Sequence, residues 1–224
     1  MSKQTSTGKC GLCGKNFGKA AMTRHLKTCD LDGAKAPAVS KTEQPAGSAF
    51  HLLVEARHSA AYWMHLAVPA ESQLAKLDNF LRGAWLECCG HLSSFTIGGE
   101  HYSSSPMDSD ESGMEIRLGR VIQTGTVFIH EYDFGSTTEL KLKVLGPWEG
   151  GTKKGVIKAL ARNDAPYVAC NNCGTQQASQ ICTECACEDK GWLCEACAAD
   201  HECGEDMFLP VVNSPRAGVC GYTG

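Results

Sequence analysis

The sequence has no apolar run approaching the roughly 18–20 residues that a membrane-spanning helix needs. It contains no G-x-S-x-G, P-loop, G-x-G-x-x-G or H-E-x-x-H motif, so the common hydrolase, nucleotide-binding and metalloprotease signatures are missing. The opening residues MSKQTSTGKCGLC carry no apolar stretch of the kind a secretory signal uses. Cytoplasmic residence with reduced thiols is therefore expected, ahead of a disulfide framework or an iron–sulfur cluster. Residues 170–203 also lack the makings of a core. Their apolar side chains are mainly Ile181, Trp192 and Leu193, too few to fold such a segment unaided.

What the chain has instead is cysteine, 14 in 224 residues. Three C-x-x-C pairs follow one another at near-regular spacing: Cys170/Cys173, Cys182/Cys185 and Cys194/Cys197. His201 and Cys203 follow, with Cys187 to spare. A C-x-x-C turn sets two sulfurs on one side of a tight loop, and a tetrahedral zinc takes two such pairs. Metal binding, worth roughly 10–16 kcal/mol in structural zinc peptides, can replace the missing core. Cross-braced modules pair the first ligand pair with the third and the second with the fourth. That order gives Cys170, Cys173, Cys194 and Cys197 for one ion, and Cys182, Cys185, His201 and Cys203 for the other. Cys187 or Cys220 could replace a member of the second set. Four protein ligands close the coordination sphere and leave no position for a substrate, as in structural sites.

A separate motif opens the chain. Cys10, Cys13, His25 and Cys29 have the spacing C-x2-C-x11-H-x3-C. Phe17 and Met22 supply a small core, and His25 and Cys29 project from one helix face. The pattern resembles a small ββα zinc finger of the Cys-Cys-His-Cys variety. Three zinc ions are expected in all. Residues 1–35 carry seven Lys and Arg against Asp30 and Asp32, whereas eight acids lie between Glu184 and Asp206. A basic head suits phosphate, and Lys19, Arg24 and Lys27 on the finger helix are the candidate DNA or RNA contacts. The acidic end suits a protein partner. No membrane contact is expected.

Between these ends the sequence divides into a finger (1–30), a flexible Ala/Pro/Ser/Lys-rich linker (31–48) on which the finger is expected to move freely, a main domain (49–165) and a Cys-rich module with its tail (166–224). In the main domain HLLVEAR (51–57) and YWMHLAV (62–68) read as strands, with Tyr62, Met64, Leu66 and Val68 on one face. Leu74, Leu77, Leu81 and Trp85 recur at helical spacing over 71–86. HLSSFTIGGEHYS reads as strand and Gly-Gly turn, before an acidic loop at 103–113. Two further strands meet at a turn over Asp133–Ser136. KKGVIKALARNDAPY (153–167) reads as a short basic helix, with Lys153, Lys154, Lys158 and Arg162 as a second patch. The apolar tail after Cys203 is expected to pack back onto the chain. The expected class is α+β: a mostly antiparallel central sheet with one main amphipathic helix, flanked by small zinc-stabilised modules.

Within that domain Tyr62–Trp63, the helix at 71–86, His91-Leu92-x-x-Phe95 and Tyr132-Asp133-Phe134-Gly135 make a recurring pattern. It resembles the plasmid pRi ORF-three-like family, whose members also occur as passenger proteins of insertion elements. The likeness spans about 110 residues. It departs at Gly135-Ser136-Thr137-Thr138, where the family continues Gly-Asp-x-Trp, and at Met64, where an Arg is usual. The resemblance implies a fold and an association with mobile elements, and no reaction.

The functional expectation is a non-enzymatic zinc-binding adaptor associated with nucleic acid. One alternative is a module that binds proteins alone. Another is a hydrolase or nuclease built on His130 and Asp133, although adjacent strand residues such as His130 and Glu131 face opposite ways. Cys88, Cys89 and His91 read as core thiols and a packed histidine.

Overall fold

The computed structural model describes residues 6–29, 49–107, 112–150, 152, 155–186, 188 and 190–224. The linker expected at 31–48 lies outside the described residues, as do Lys153, Lys154, Cys187 and residues 108–111 of the acidic loop. In chain order the elements are β1 (Thr7–Cys10), β2 (Asn16–Gly18), α1 (Lys19–His25), β3 (Ala49–Ala56), β4 (Ser59–Pro69), α2 (Leu74–Leu81), β5 (Ser93–Ile97), β6 (Glu100–Ser103), β7 (Ser112–Gly113) and α3 (Leu118–Val121). They continue as β8 (Val127–Tyr132), β9 (Thr138–Trp148), β10 (Lys158–Asn163), β11 (Gln180–Cys182), α4 (Thr183–Ala186), β12 (Trp192–Leu193), α5 (Glu195–Ala199) and β13 (Phe208–Pro210). Ten strands form one sheet in the order β2–β1–β10–β4–β3–β9–β8–β5–β6–β7, and a small sheet runs β12–β11–β13. Every pairing is antiparallel except that of β6 with β7. The class is mixed helix and sheet, with a large, mostly antiparallel sheet.

The centre of this sheet is buried on both faces, and strand alternation shows how. On one face Phe50, Leu52 and Val54 of β3 join Met64, Leu66 and Val68 of β4. Leu74, Leu77 and Leu81 of α2, with Trp85 beyond it, cover them, and Phe95, Phe128, Leu140 and Leu142 complete that core. On the other face Leu53 of β3 and Trp63 and Ala67 of β4 meet Leu160 and Ala161 of β10. Cys10, Met22 and Leu26 of the N-terminal finger close over them.

Two expectations are corrected here. The stretch at 153–167 is not a basic helix: Lys158–Asn163 is a strand between β1 and β4. Two ladders take up its backbone groups and Leu160 and Ala161 are buried, so pairing overrides the helical leaning of Lys and Ala. Nor does the finger move freely. Its strand β1 pairs with β10 from Gly8↔Asn163 to Cys10↔Ala161, so the finger hairpin is the edge of the main sheet. Lys19 of α1 forms an ion pair with Glu55 of β3, which holds the finger helix against the second face. The tail packs back as expected, pairing β13 with β11 and then running onto the main domain.

Gly8 marks how close the join is. A Cβ there would lie 2.3 Å from the Arg162 carbonyl oxygen and 2.7 Å from the Trp63 ring. Under the finger, His51 Nε2 sits 2.9 Å from His65 Nδ1, and Thr23 Oγ1 is 3.4 Å from His65 Nε2. Burial, with Lys27 nearby, pushes His51 down to about 4. Burial, then His51 and Lys19, pushes His65 down to about 3. Both imidazoles are neutral in the fold and take a proton near 6.5 once unfolded.

Two outcomes are expected. Gly8→Ala forces the backbone of β1 away from β10 and costs about 1–3 kcal/mol, read as a lower midpoint in urea unfolding. Acidification has a calculable sign. Below pH 6.5 the unfolded chain binds protons that folded His51 and His65 refuse, so stability present above pH 6.5 is lost as the pH falls toward 4. The urea midpoint, measured with zinc in excess, should fall between pH 7 and pH 5. The fall should be smaller in the double variant His51→Leu/His65→Leu, which removes both partners of the buried bond together.

Candidate metal centres

The N-terminal centre is assembled by a tight hairpin and one short helix. Cys10 ends β1, Cys13 lies in the turn, and Gly14 (φ +73°) supplies the left-handed residue that brings the chain back. The turn is closed by the Cys10 N–H donating to the Lys15 carbonyl at 2.9 Å and the Gly14 N–H to the Cys10 carbonyl at 2.9 Å. α1 then carries His25, with Cys29 just beyond it. Cys13 Sγ lies 3.2 Å from His25 Nε2, and Cys10 Sγ lies 4.0 Å from Cys29 Sγ. Tetrahedral zinc, with bonds near 2.3 Å to sulfur and 2.0 Å to nitrogen, spaces its ligands about 3.6–3.8 Å apart. Phe17 stacks on the His25 ring at 4.2 Å and fixes its tilt. The Lys15 backbone N–H aimed at Cys13 holds that thiol below its ordinary range.

The C-terminal module brings its ligands together in the interleaved order. Cys170, Cys173, Cys194 and Cys197 form one group, and Cys182, Cys185, His201 and Cys203 the other. Cys173 and Cys194 are 3.9 Å apart, Cys185 and Cys203 3.9 Å, and Cys185 and His201 Nε2 3.5 Å. Donors from Thr175 and Gln176 bring Cys173 down to about 6. Burial raises Cys182, but the Cys185 N–H, His201 and Cys203 outweigh it and leave it at about 7. Such thiols are part thiolate at neutral pH, the form a metal binds. The buried cluster around them is Cys170, Cys182 and Cys194 with Leu193 and Ala198, so ligand sulfurs make up much of the core. Met207 is exposed and does not pack back with the rest of the apolar tail, while Phe208 packs against that cluster.

A further group had no signature in the sequence. Cys88, Cys89, His91 and Cys220 have donor atoms that all lie within 4.8 Å of one another. Cys88 and Cys89 are 3.6 Å apart, as are Cys89 and Cys220. His91 Nε2 is 2.9 Å from Cys89 Sγ and 3.2 Å from Cys220 Sγ. Cys89 is exposed and so is no core thiol, as is Cys220, whereas Cys88 packs half-buried against the main core and His91 stands half-buried against Tyr132. Burial raises the Cys88 thiol, but Arg216, Tyr132 and Cys89 outweigh it and hold it below its usual range. Four groups able to hold a metal ion thus exist among the described residues, which corrects the expected count of three. All 13 described cysteines are free thiols.

The residues proposed for other work are placed as follows. Lys19 pairs with Glu55, and Thr23 turns to His65, so the face of α1 that carries them is turned to the sheet. Arg24 and Lys27 are exposed, as are Lys9 and Lys15 beside them in the finger. Lys158 is exposed, but Arg162 lies over the Trp85 ring at 5.5 Å and donates to the Asn213 carbonyl. His130 is fully buried, with Nε2 2.7 Å from Asp78 Oδ1. Asp133 holds a left-handed turn (φ +65°), accepting from the Gly135 and Ser136 N–H groups at 3.0 and 3.2 Å, and pairs with Arg216 at 2.5 Å. His130 and Asp133 do not converge. Among the described residues, no helix is long and apolar enough to cross a membrane.

No family model matches the chain, and no curated protein does. A search of solved structures finds a crystal structure of a protein of unknown function from Methanosarcina mazei Go1. It is 16% identical, with a TM-score of 0.43 over 54% of this chain and 69% of that one.

Because sulfur ligands form the interior of the C-terminal module, a strong chelator should unfold it before the main sheet. Hydrogen-exchange protection at Ile181 and Leu193 should collapse to that of open chain. Protection at Leu52 and Leu142, whose core is apolar, should persist.

Proposed function

We propose that this chain is a non-enzymatic adaptor stabilised by zinc, with nucleic acid held at one end and a protein partner at the other. The observation that carries the reading is that each C-x-x-C-bearing group converges as four protein ligands, a closed sphere suited to structure and not to substrate. Zinc is the ion that sets of four thiolates, or of three thiolates and an imidazole, select, since soft sulfur donors and tetrahedral geometry favour it.

Charge supports the division of labour. Lys9, Lys15, Arg24 and Lys27 are exposed on the finger, while Glu188, Glu195, Asp200, Glu202 and Glu205 are exposed on the Cys-rich module. The basic residues suit phosphate contacts that position a strand without reading it. With Lys19 and Thr23 committed to the sheet, that face of α1 is not free to enter a major groove as a finger helix does. Binding that ignores base sequence is the form this reading takes. The acidic module would repel phosphate and is the candidate surface for a protein. The link to mobile elements rests on the resemblance to the plasmid pRi ORF-three-like family at His91-Leu92-x-x-Phe95 and Tyr132-Asp133-Phe134-Gly135.

Fluorescence anisotropy with labelled duplex and single strand across a salt series tests the basic end. Affinity should fall steeply as salt rises, with little dependence on base sequence. Arg24→Ala/Lys27→Ala should lower the salt slope by about 2 and weaken binding roughly uniformly. No binding at low salt, or binding indifferent to salt, would remove nucleic acid from the proposal. A protein partner retained after nuclease treatment would then leave a module that binds proteins alone.

A further inference from the structure

We propose that Cys88, Cys89, His91 and Cys220 form a fourth zinc centre that clamps the C-terminal tail onto the main domain. The identity of its ion rests on the same zinc reading as the other three centres. Its location, its supports and its role are separate from theirs.

The loop that offers three of the four ligands is built for presentation. α2 ends in a π-helical turn over Arg82–Leu86, an irregular geometry that is found disproportionately at functional sites. The chain then leaves the helix at Glu87, whose carboxylate secures the ligand loop. Its Oε1 accepts from the Gly90 N–H at 2.7 Å and from the Tyr132 hydroxyl at 3.0 Å. The same Tyr132 oxygen receives the backbone N–H groups of Cys88 at 3.4 Å and His91 at 3.3 Å. Two ligand residues are thus held by one buried hydroxyl. The His91 ring stands edge-on to Tyr132 at 5.8 Å. Outer supports of this kind orient the first ligands of metal sites and tune their affinity.

The fourth ligand arrives from 129 residues beyond His91. After β13 the tail is pinned in steps. Asn213 and Asn163 are joined by their side chains at 2.8 Å, Ser214 Oγ donates to the Trp85 carbonyl at 2.6 Å, and Arg216 is fully buried. Arg216 donates to Asp133, to the Ser136 carbonyl at 3.0 Å and to Cys88 Sγ at 3.5 Å. With its charge matched by the Asp133 carboxylate, Arg216 ties the tail to the Asp133 turn and to the ligand Cys88 at once. Cys220 itself adopts φ +50°, in the left-handed region that a cysteine occupies only when its surroundings hold it there. A metal ion at the focus of the four donors supplies that hold. Sulfur separations of 3.6 Å match the edges of a zinc tetrahedron and are well beyond a disulfide bond. Since β13 belongs to the Cys-rich module, a clamp at Cys220 also fixes the chain that leaves that module.

Exposure sets this centre apart. Each of the other three groups contains at least one buried cysteine, and this one contains none. It should be the first to surrender its ion to a competitor.

Native mass spectrometry of the full chain, titrated with a zinc chelator, tests the proposal. The wild type should carry four ions and lose one before the rest. Cys220→Ser should carry three. Tyr132→Phe, which keeps the packing and removes the hydroxyl, should release the first ion at a chelator concentration about 10–100-fold lower and leave the other three unmoved. Hydrogen exchange at Ala217, Val219 and Tyr222 should quicken by roughly tenfold or more in Cys220→Ser, with Leu52 and Leu142 unchanged. A wild type with three ions, a Cys89–Cys220 disulfide in the native protein, or a Cys220→Ser protein that still binds four ions would overturn the fourth centre and leave the other three standing. An ion-free wild type would overturn all of them.

Discussion

Strands β3 and β4 have no wet face, and most of the architecture is a response to that. A sheet that buries both sides must be covered twice. The helix α2 covers one side with Leu74, Leu77 and Leu81, and Trp85 extends the cover. The finger covers the other with Met22 and Leu26. The second face is also the more polar, because His51, His65 and Glu55 point into it. A finger that brings Lys19 to Glu55 and Thr23 to His65 matches those groups, where a purely apolar cover would leave them unpaired. Pairing β1 with β10 then extends the sheet by a hairpin and takes up hydrogen bonds that an exposed edge would leave to water.

The ends of the chain solve the same problem by other means. In the Cys-rich module the buried cluster consists largely of sulfur ligands, with Leu193 and Ala198 for company. Its two strands and their partner β13 are too short to hold a fold by hydrogen bonds alone. A metal ion at each of two points of a cross-braced chain would restrict the backbone where side-chain burial cannot. The finger is intermediate. Its small core of Phe17, Met22 and Leu26 is completed by Trp63 and Leu160 of the sheet, so ligands and packing share the work.

Much of this was legible beforehand. Alternation placed Met64, Leu66 and Val68 on one face, and helical spacing placed Leu74, Leu77, Leu81 and Trp85 against them. Four C-x-x-C pairs, with His25/Cys29 and His201/Cys203, marked twelve candidate ligands, because short-range geometry brings both members of each pair together wherever the pair sits. The strand at Lys158–Asn163 was misread because Lys and Ala favour helix when nothing competes, and two neighbouring strands do compete. The docked finger was missed for a related reason. A composition such as that of 31–48 describes a tether but says nothing of what the tethered part meets.

The group around Cys220 draws the boundary most sharply. Two adjacent cysteines and a histidine two residues on have no metal-binding spacing, and their partner lies on the far tail. Short-range order along the chain determined the finger, the cross-braced pairs, the amphipathic helix and the alternating strands, since each depends on residues within a few turns of one another. The order of the ten strands, the burial of both sheet faces, the union of His130 with Asp78 and the meeting of Cys220 with His91 were decided by the tertiary structure alone. Each of those depends on which distant surfaces bury each other, and that free energy is set by the whole fold rather than by any local run of residues.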